Sequence, residues 1–278
     1  MSTAQPGDAE PWGELRHLAV ERDTQDMPGV VLVTLDLPER RNAMSEEMTA
    51  SWGAVMSRLR TDRSVRAVVI TGRGRAFCAG GDFSWLGAAP GASVPALRQR
   101  MLEFYRTWLS VRDLPVPTIA AVNGAAVGAG LSVALACDVR IVADQARLAV
   151  PFTSLGLHPG MATTWLLRRA AGDTVARDML LTGRALTGSQ GVACGLMSRA
   201  VEVEQVLPTA LQAAGMVAAA APVATELTKA ALGSGGPETF EAALAWEAIA
   251  QPVTLAMQDL QEGLAAAQEK RRAHFTGR

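Results

Sequence analysis

PVPTIAAVNGAAVGAGLSVALACDVRIVADQARLAVPFTSLGLHPG, residues 115–160, decides the fold. An apolar run, Thr118–Val122, stops at Asn123-Gly124, and the chain then crosses small residues at Gly128–Gly130. It continues as an apolar helix and re-emerges as a β-branched run at Val139–Ala143. The pattern predicts strand, turn, buried helix, strand. Gly128, Ala129 and Gly130 would leave backbone N–H groups bare at the first turn of that helix, where donors lack intrahelical partners and the dipole is positive. A developing oxyanion suits such a place. The same glycines would equally let a helix and a strand pack closely, and this stretch alone leaves both readings open.

Upstream, Leu15–Val20 and Val30–Leu35 flank a turn at Pro28-Gly29 and read as a hairpin. Ser45 followed by Glu46 and Glu47 predicts a capped helix start, with Met48, Trp52, Val55, Met56 and Leu59 on its buried face. Ala67–Ile70 is apolar without alternation, as in a strand covered on both faces, and strand, helix, strand in this order implies a parallel crossover. The glycine-rich segment Thr71–Phe83 then leaves the carboxyl end of that strand, where ligands of open α/β sheets bind. It carries neither a phosphate-loop lysine nor the dinucleotide glycine pattern. Leu97, Met101, Tyr105 and Trp108 recur at helical spacing and read as core. Downstream, Trp165–Arg169 and Ala176–Thr182 read as short helices and Ser198–Val203 as a last strand. From Glu204 onward the pattern is only helical, with breaks near Pro222, residues 234–237 and Pro252. The resulting division is a leader over residues 1–14, an α/β core over 15–203 and a helical region over 204–278 that packs on a neighbouring copy.

The totals exclude several classes. Lys and Arg number 26 against 27 Asp and Glu, a net charge of −1, so no general attraction to nucleic acid or an anionic membrane is expected. The three cysteines, Cys78, Cys137 and Cys194, lack metal or redox spacing and read as free thiols. Asp8, Glu10 and Glu14 stand where a signal peptide would be basic and then apolar, so a cytoplasmic location is expected. No membrane span is expected, because the longest uncharged run is interrupted by Asn123 and glycines.

Four stretches, LDLPERRNAM at Leu35–Met44, VITGRGRAFCAGGDF at Val69–Phe83, residues Ile119–Val142 and EGLAAAQEKRRAHF at Glu262–Phe275, resemble the enoyl-CoA hydratase/isomerase (crotonase) family in order and spacing. The resemblance spans about Leu15 to Phe275. It implies a spiral of ββα units, a helical C-terminal trimerisation region, assembly as a homotrimer or a hexamer of paired trimers, and an acyl-CoA substrate with no further cofactor and no metal. It also implies an oxyanion hole made of the Gly81 and Ala129 amides. Arg41 would meet the CoA phosphates, and the backbone around Ala79, Gly80, Gly81, Asp82 and Phe83 would read the adenine and pantetheine. Phe275, with Lys270 or Arg271, corresponds to C-terminal residues often lent by a neighbouring subunit.

The chain departs from the family pattern at both hydratase glutamates. By position, one is Ser132, two residues beyond Gly130, and the other is Phe152, in Pro151–Gly156. A serine hydroxyl is no general base at neutral pH unaided, and a phenyl ring exchanges no proton. Ser132 is therefore carried as an atypical catalytic position and Phe152 as a substrate contact. Asp82, Glu103 and His158 are the remaining candidates for proton transfer, and Ser132, Thr153 and Ser154 could orient a water or a polar acyl substituent. The expectation is an acyl-CoA enzyme that stabilises a thioester enolate without efficient enoyl hydration. The alternatives are an acyl-CoA isomerase or decarboxylase, and a non-catalytic acyl-CoA binder.

Overall fold

The computed structural model describes residues 12–82, 91–233 and 235–278. A six-stranded sheet holds β1 (Leu18–Arg22), β2 (Val30–Leu35), β3 (Ala67–Gly72), β5 (Thr118–Val122), β7 (Val139–Ala143) and β9 (Arg199–Val201) in that spatial order. β1 is antiparallel to β2 and every other pair is parallel. A second, three-stranded parallel sheet is formed by β4 (Ala76–Cys78), β6 (Ala125–Val127) and β8 (Leu148–Ala149). Its strands directly precede the three segments of the candidate site.

α1 (Glu46–Thr61) starts as its sequence predicts, with the Ser45 hydroxyl accepting from the Met48 amide and Met48, Trp52, Val55, Met56 and Leu59 buried. It packs on α2 (Val94–Leu109), where Trp108 stacks on Trp52 with ring centroids 4.8 Å apart. Both indole N–H groups are satisfied, Trp52 by the Thr107 carbonyl at 3.1 Å and Trp108 by the Thr49 hydroxyl at 3.0 Å. The first strand begins three residues later than the hairpin reading places it, because His17 has φ +58° and breaks the extended chain before Leu18.

α3 (Ala129–Ala136) is buried over its whole length. α4 (Thr163–Thr182) joins the two short helices of the sequence reading across a break at Gly172, where φ is +77°. α5 (Gly188–Ala193) opens with a capping box between Thr187 and Gln190. α6 (Val203–Ala218) lies across β2, β3, β5 and β7 and buries Val206, Ala210, Leu211 and Ala214, so this first helix after residue 202 belongs to the core layer.

α7 (Pro222–Leu232), α8 (Phe240–Leu255) and α9 (Gln258–Glu269) complete the chain. Along α8, Phe240, Leu244, Ile249, Val253 and Leu255 are at least half exposed. Among the described residues no single helix is long and apolar enough to cross a membrane. The apolar pair α6 and α7 is bent by 114°.

Candidate active site

The small sheet builds the site. Parallel pairing of β4 with β6, and of β6 with β8, brings residues 79–82, 128–129 and 150–152 out side by side at three adjacent carboxyl ends. Gly80 has φ +96°, and a β-carbon there would fall 2.8 Å from the Val127 carbonyl oxygen and 3.4 Å from the Ala129 nitrogen. The backbones that carry Gly81 and Ala129 therefore touch. Among the described residues neither the Gly81 nor the Ala129 amide has a hydrogen-bond acceptor.

The glycine turn both leaves an amide bare and lets two elements pack closely, at different residues. Gly128 adopts φ +55°, ψ −120°, a conformation that glycine alone takes at low cost, and caps α3 while its own N–H bonds the Ala149 carbonyl at 2.8 Å. Gly130 serves packing: a β-carbon there would lie 2.3 Å from the Cys78 carbonyl oxygen. Ala129, between them, presents the first amide of the helix. Cys78 beneath it is fully buried, and burial pushes its thiol up to about 12, so it stays protonated and inert.

The Gly81 loop is fixed from the other side by Asn42, which the sequence reading did not single out. Asn42 is fully buried. Its Oδ1 accepts from the Leu37 amide at 2.9 Å, and its Nδ2 donates to the carbonyls of Arg73, Ala76 and Phe77 at 3.0, 2.8 and 3.2 Å. Backbone bonds extend the clamp, from the Ala79 amide to the Arg41 carbonyl and from the Met44 amide to the Gly80 carbonyl. Asp82 is buried and pairs with Arg40 at 2.5 Å, which commits both groups. The exposed Arg41 side chain has no ion pair among the described residues.

Phe152 follows β8, and its ring carbons come within 3.6 Å of where a Gly128 β-carbon would stand, so it walls the mouth of α3. Ser132 is placed otherwise than a catalytic position requires. It is fully buried, its hydroxyl 2.6 Å from the Thr163 hydroxyl and 3.2 Å from the Gly128 carbonyl, while Thr163 donates to the Gly160 carbonyl at 2.5 Å. This line of hydroxyls braces α3 against the start of α4.

Glu103 is exposed and takes a hydrogen bond from Gln99, and His158 is exposed with Nδ1 2.8 Å from the Pro159 carbonyl. Thr153 bonds the Leu180 carbonyl. Phe83 lies outside the described residues. Phe275 is not brought to the site of its own chain. Its carbonyl accepts from Arg66, which stands at the amino end of β3, and its ring lies against Gly263 beside a cavity of about 270 Å³. Arg271 is held by Glu262 and Glu269, and this folds the C-terminal segment back along α9. A larger cavity of about 960 Å³, lined by Arg112, Asp138, Trp165 and Lys229 among others, lies at the far end of α3 and includes none of these site residues.

A profile of the family described as Enoyl-CoA hydratase/isomerase matches residues 25–278. The Mycobacterium tuberculosis protein named "Probable enoyl-CoA hydratase EchA14" is 50% identical over 167 residues, 60% of this chain and 64% of that protein. The match thus spans just under two thirds of that relative's length. The 1,2-epoxyphenylacetyl-CoA isomerase of Escherichia coli is 35% identical over 251 residues, 90% of this chain and 96% of that enzyme. The crystal structure of an enoyl-CoA hydratase from Bacillus anthracis superposes with a TM-score of 0.88 at 30% identity, covering 95% of this chain and all of that one.

Proposed function

We propose, for a chain that belongs to the enoyl-CoA hydratase/isomerase family, that it binds an acyl-CoA with the thioester oxygen between the Gly81 and Ala129 amides and stabilises the enolate without the two-glutamate chemistry of hydration. The observation that carries the reading is the convergence of two backbone amides with no acceptor among the described residues, from adjacent strand ends, one on a clamped loop and one at the first turn of a buried helix. Donors already in place when charge develops are worth about 3 kcal/mol each in the transition state. An enolate left when carboxylate departs as carbon dioxide from the carbon beside the carbonyl would use the same two donors, needs no base and takes its proton from water, so decarboxylation is the reaction type that best fits a site without the glutamate pair; isomerisation would use the same donors and would require a base besides. A binder that only holds the thioester is the competing reading. The exposed Arg41, on the loop whose backbone grips Ala79, is assigned to the CoA phosphates, with Ala79–Asp82 beside the pantetheine.

We assign the exposed apolar side chains of α8 to contact with further copies, in a homotrimer or a pair of trimers. Such exposure is costly in water, and a chain that shares the family's C-terminal helices meets it with its own kind. Phe275, distant from the site of its own chain, would serve a neighbour's ligand. A cytoplasmic location accords with this metabolism.

Gly81→Pro tests the oxyanion reading by deleting one donor. Acyl-CoA affinity, measured by isothermal titration on a variant with the parent circular dichroism spectrum, should fall at least about tenfold. Unchanged affinity and turnover would overturn the assignment.

A further inference from the structure

The inference rests on the thioester reading above and concerns which acyl group the site takes. Tyr105 is the only tyrosine of the chain. It lies on α2, half-buried, with its ring edge-on to Phe104 at 6.3 Å. Its hydroxyl reaches across to Gly160, where a β-carbon would fall 2.5 Å from the phenolic oxygen. A side chain at residue 160 would push the phenol away, and glycine lets it in.

The hydroxyl has no hydrogen-bond partner among the described residues. It is not sealed either, because no fully buried side-chain nitrogen or oxygen among those residues lacks a partner. The phenol therefore opens onto accessible space with a proton to donate. Its surroundings leave that proton unclaimed. The Gly160 carbonyl already accepts from the Thr163 amide at 3.0 Å and the Thr163 hydroxyl at 2.5 Å, and Thr163 is bonded to Ser132 on the first turns of α3. Tyr105 stands against Gly160 at the outer end of this line of polar groups, which starts beside the proposed oxyanion amide, and among these described hydroxyls its proton has no acceptor. Glu103, two residues earlier on α2, is exposed and bonded to Gln99, so no carboxylate of that turn takes the phenol. Burial raises the phenol above its ordinary pKa, so it remains a neutral donor throughout the working pH range.

We propose that Tyr105 is a specificity-determining residue that donates a hydrogen bond to an oxygen on the acyl chain, so that the protein selects hydroxy- or oxo-substituted acyl-CoA thioesters over plain alkanoyl ones. A site built to bond an oxygen discriminates against the analogue without it, because the phenol's bond to water is lost and not replaced.

The test compares dissociation constants of 3-hydroxybutyryl-CoA and butyryl-CoA for the full-length parent and for Tyr105→Phe, which keeps the ring and its packing. The parent should bind the hydroxyl-bearing thioester about tenfold more tightly. Tyr105→Phe should bring the two constants together while leaving that of butyryl-CoA within about twofold, a pattern that loss of packing would not produce. A preference that persists in Tyr105→Phe, or is absent from the parent, overturns the assignment while butyryl-CoA binding upholds the thioester site. Failure of both thioesters to bind the parent more tightly than free CoA overturns the thioester reading, and this inference with it.

Discussion

Crotonyl-CoA mixed with the purified protein should be hydrated at least about a hundredfold more slowly than by a relative with glutamates at both catalytic positions, the lower end of what general acid–base groups contribute. Syn addition of water needs one group to activate the water and one to deliver a proton to the carbon beside the carbonyl. At the first position Ser132 is buried and hydrogen-bonded to Thr163, so it neither meets a water nor has a base behind it. At the second, Phe152 presents a ring to the mouth of α3. The other candidates are committed elsewhere: Asp82 is held by Arg40, Glu103 by Gln99, and His158 lies in an exposed turn. In the proposed site the Gly81 and Ala129 amides would still polarise the thioester, so binding should be retained while hydration is lost. The assay follows the absorbance of the conjugated thioester, and turnover at the relative's rate would overturn the argument.

Gly130→Ala should lower stability by about 3 kcal/mol or more, the upper range of overpacking costs, because the added methyl would meet the backbone carbonyl of Cys78 at 2.3 Å and neither element can yield easily. β4 is held by β6 and by Asn42, and α3 is buried on all sides. Relief requires α3 to lift from the small sheet, which carries the Ala129 amide away from Gly81, so acyl-CoA binding should be lost with the stability. Ala129→Gly provides the contrast, since it keeps the N–H and deletes only a methyl, and its affinity should stay close to that of the parent. Thermal unfolding and isothermal titration of both variants check the pair. A Gly130→Ala variant with the parent's midpoint and affinity would show that α3 is not seated as described.

How far residues can be read before folding follows from the range of their interactions. β3, β5, β7 and the buried face of α1 are legible because each contains its own periodicity or unbroken apolar run, and the structure places them where the pattern does. The small sheet is not legible. Its strands are three, three and two residues long, too short to show a period, and they are made of alanine, valine, leucine, phenylalanine and cysteine that suit either a helix or a strand. Gly81 and Ala129 are singled out in the sequence by the glycines around them and the family resemblance. The contacts of Asn42, Thr163 and Tyr105 are not legible there, and Tyr105 reads only as core, because those contacts are with partners 31 to 55 positions away that only the fold brings near. Ser132 shows the complementary limit: its helix position is evident, but the direction its hydroxyl takes is decided by Thr163 on another element.

The exposed apolar side chains of α8 have a consequence for every solution experiment above. With Phe240, Leu244 and Ile249 covered by another copy, as proposed, the folded state gains free energy from each association step, and by mass action its population then depends on how much protein is present. The thermal midpoint should fall by a few degrees on each large dilution, and unfolding curves taken at nanomolar and at ten-micromolar chain should not superimpose. Curves that superimpose would mean a monomer or an assembly too tight to part at those dilutions, and sedimentation would tell these apart. A turnover number measured at enzyme concentrations far below those used for binding would therefore describe a different species. The crotonyl-CoA comparison should accordingly be run at several dilutions of both proteins, with rates extrapolated to the assembled form.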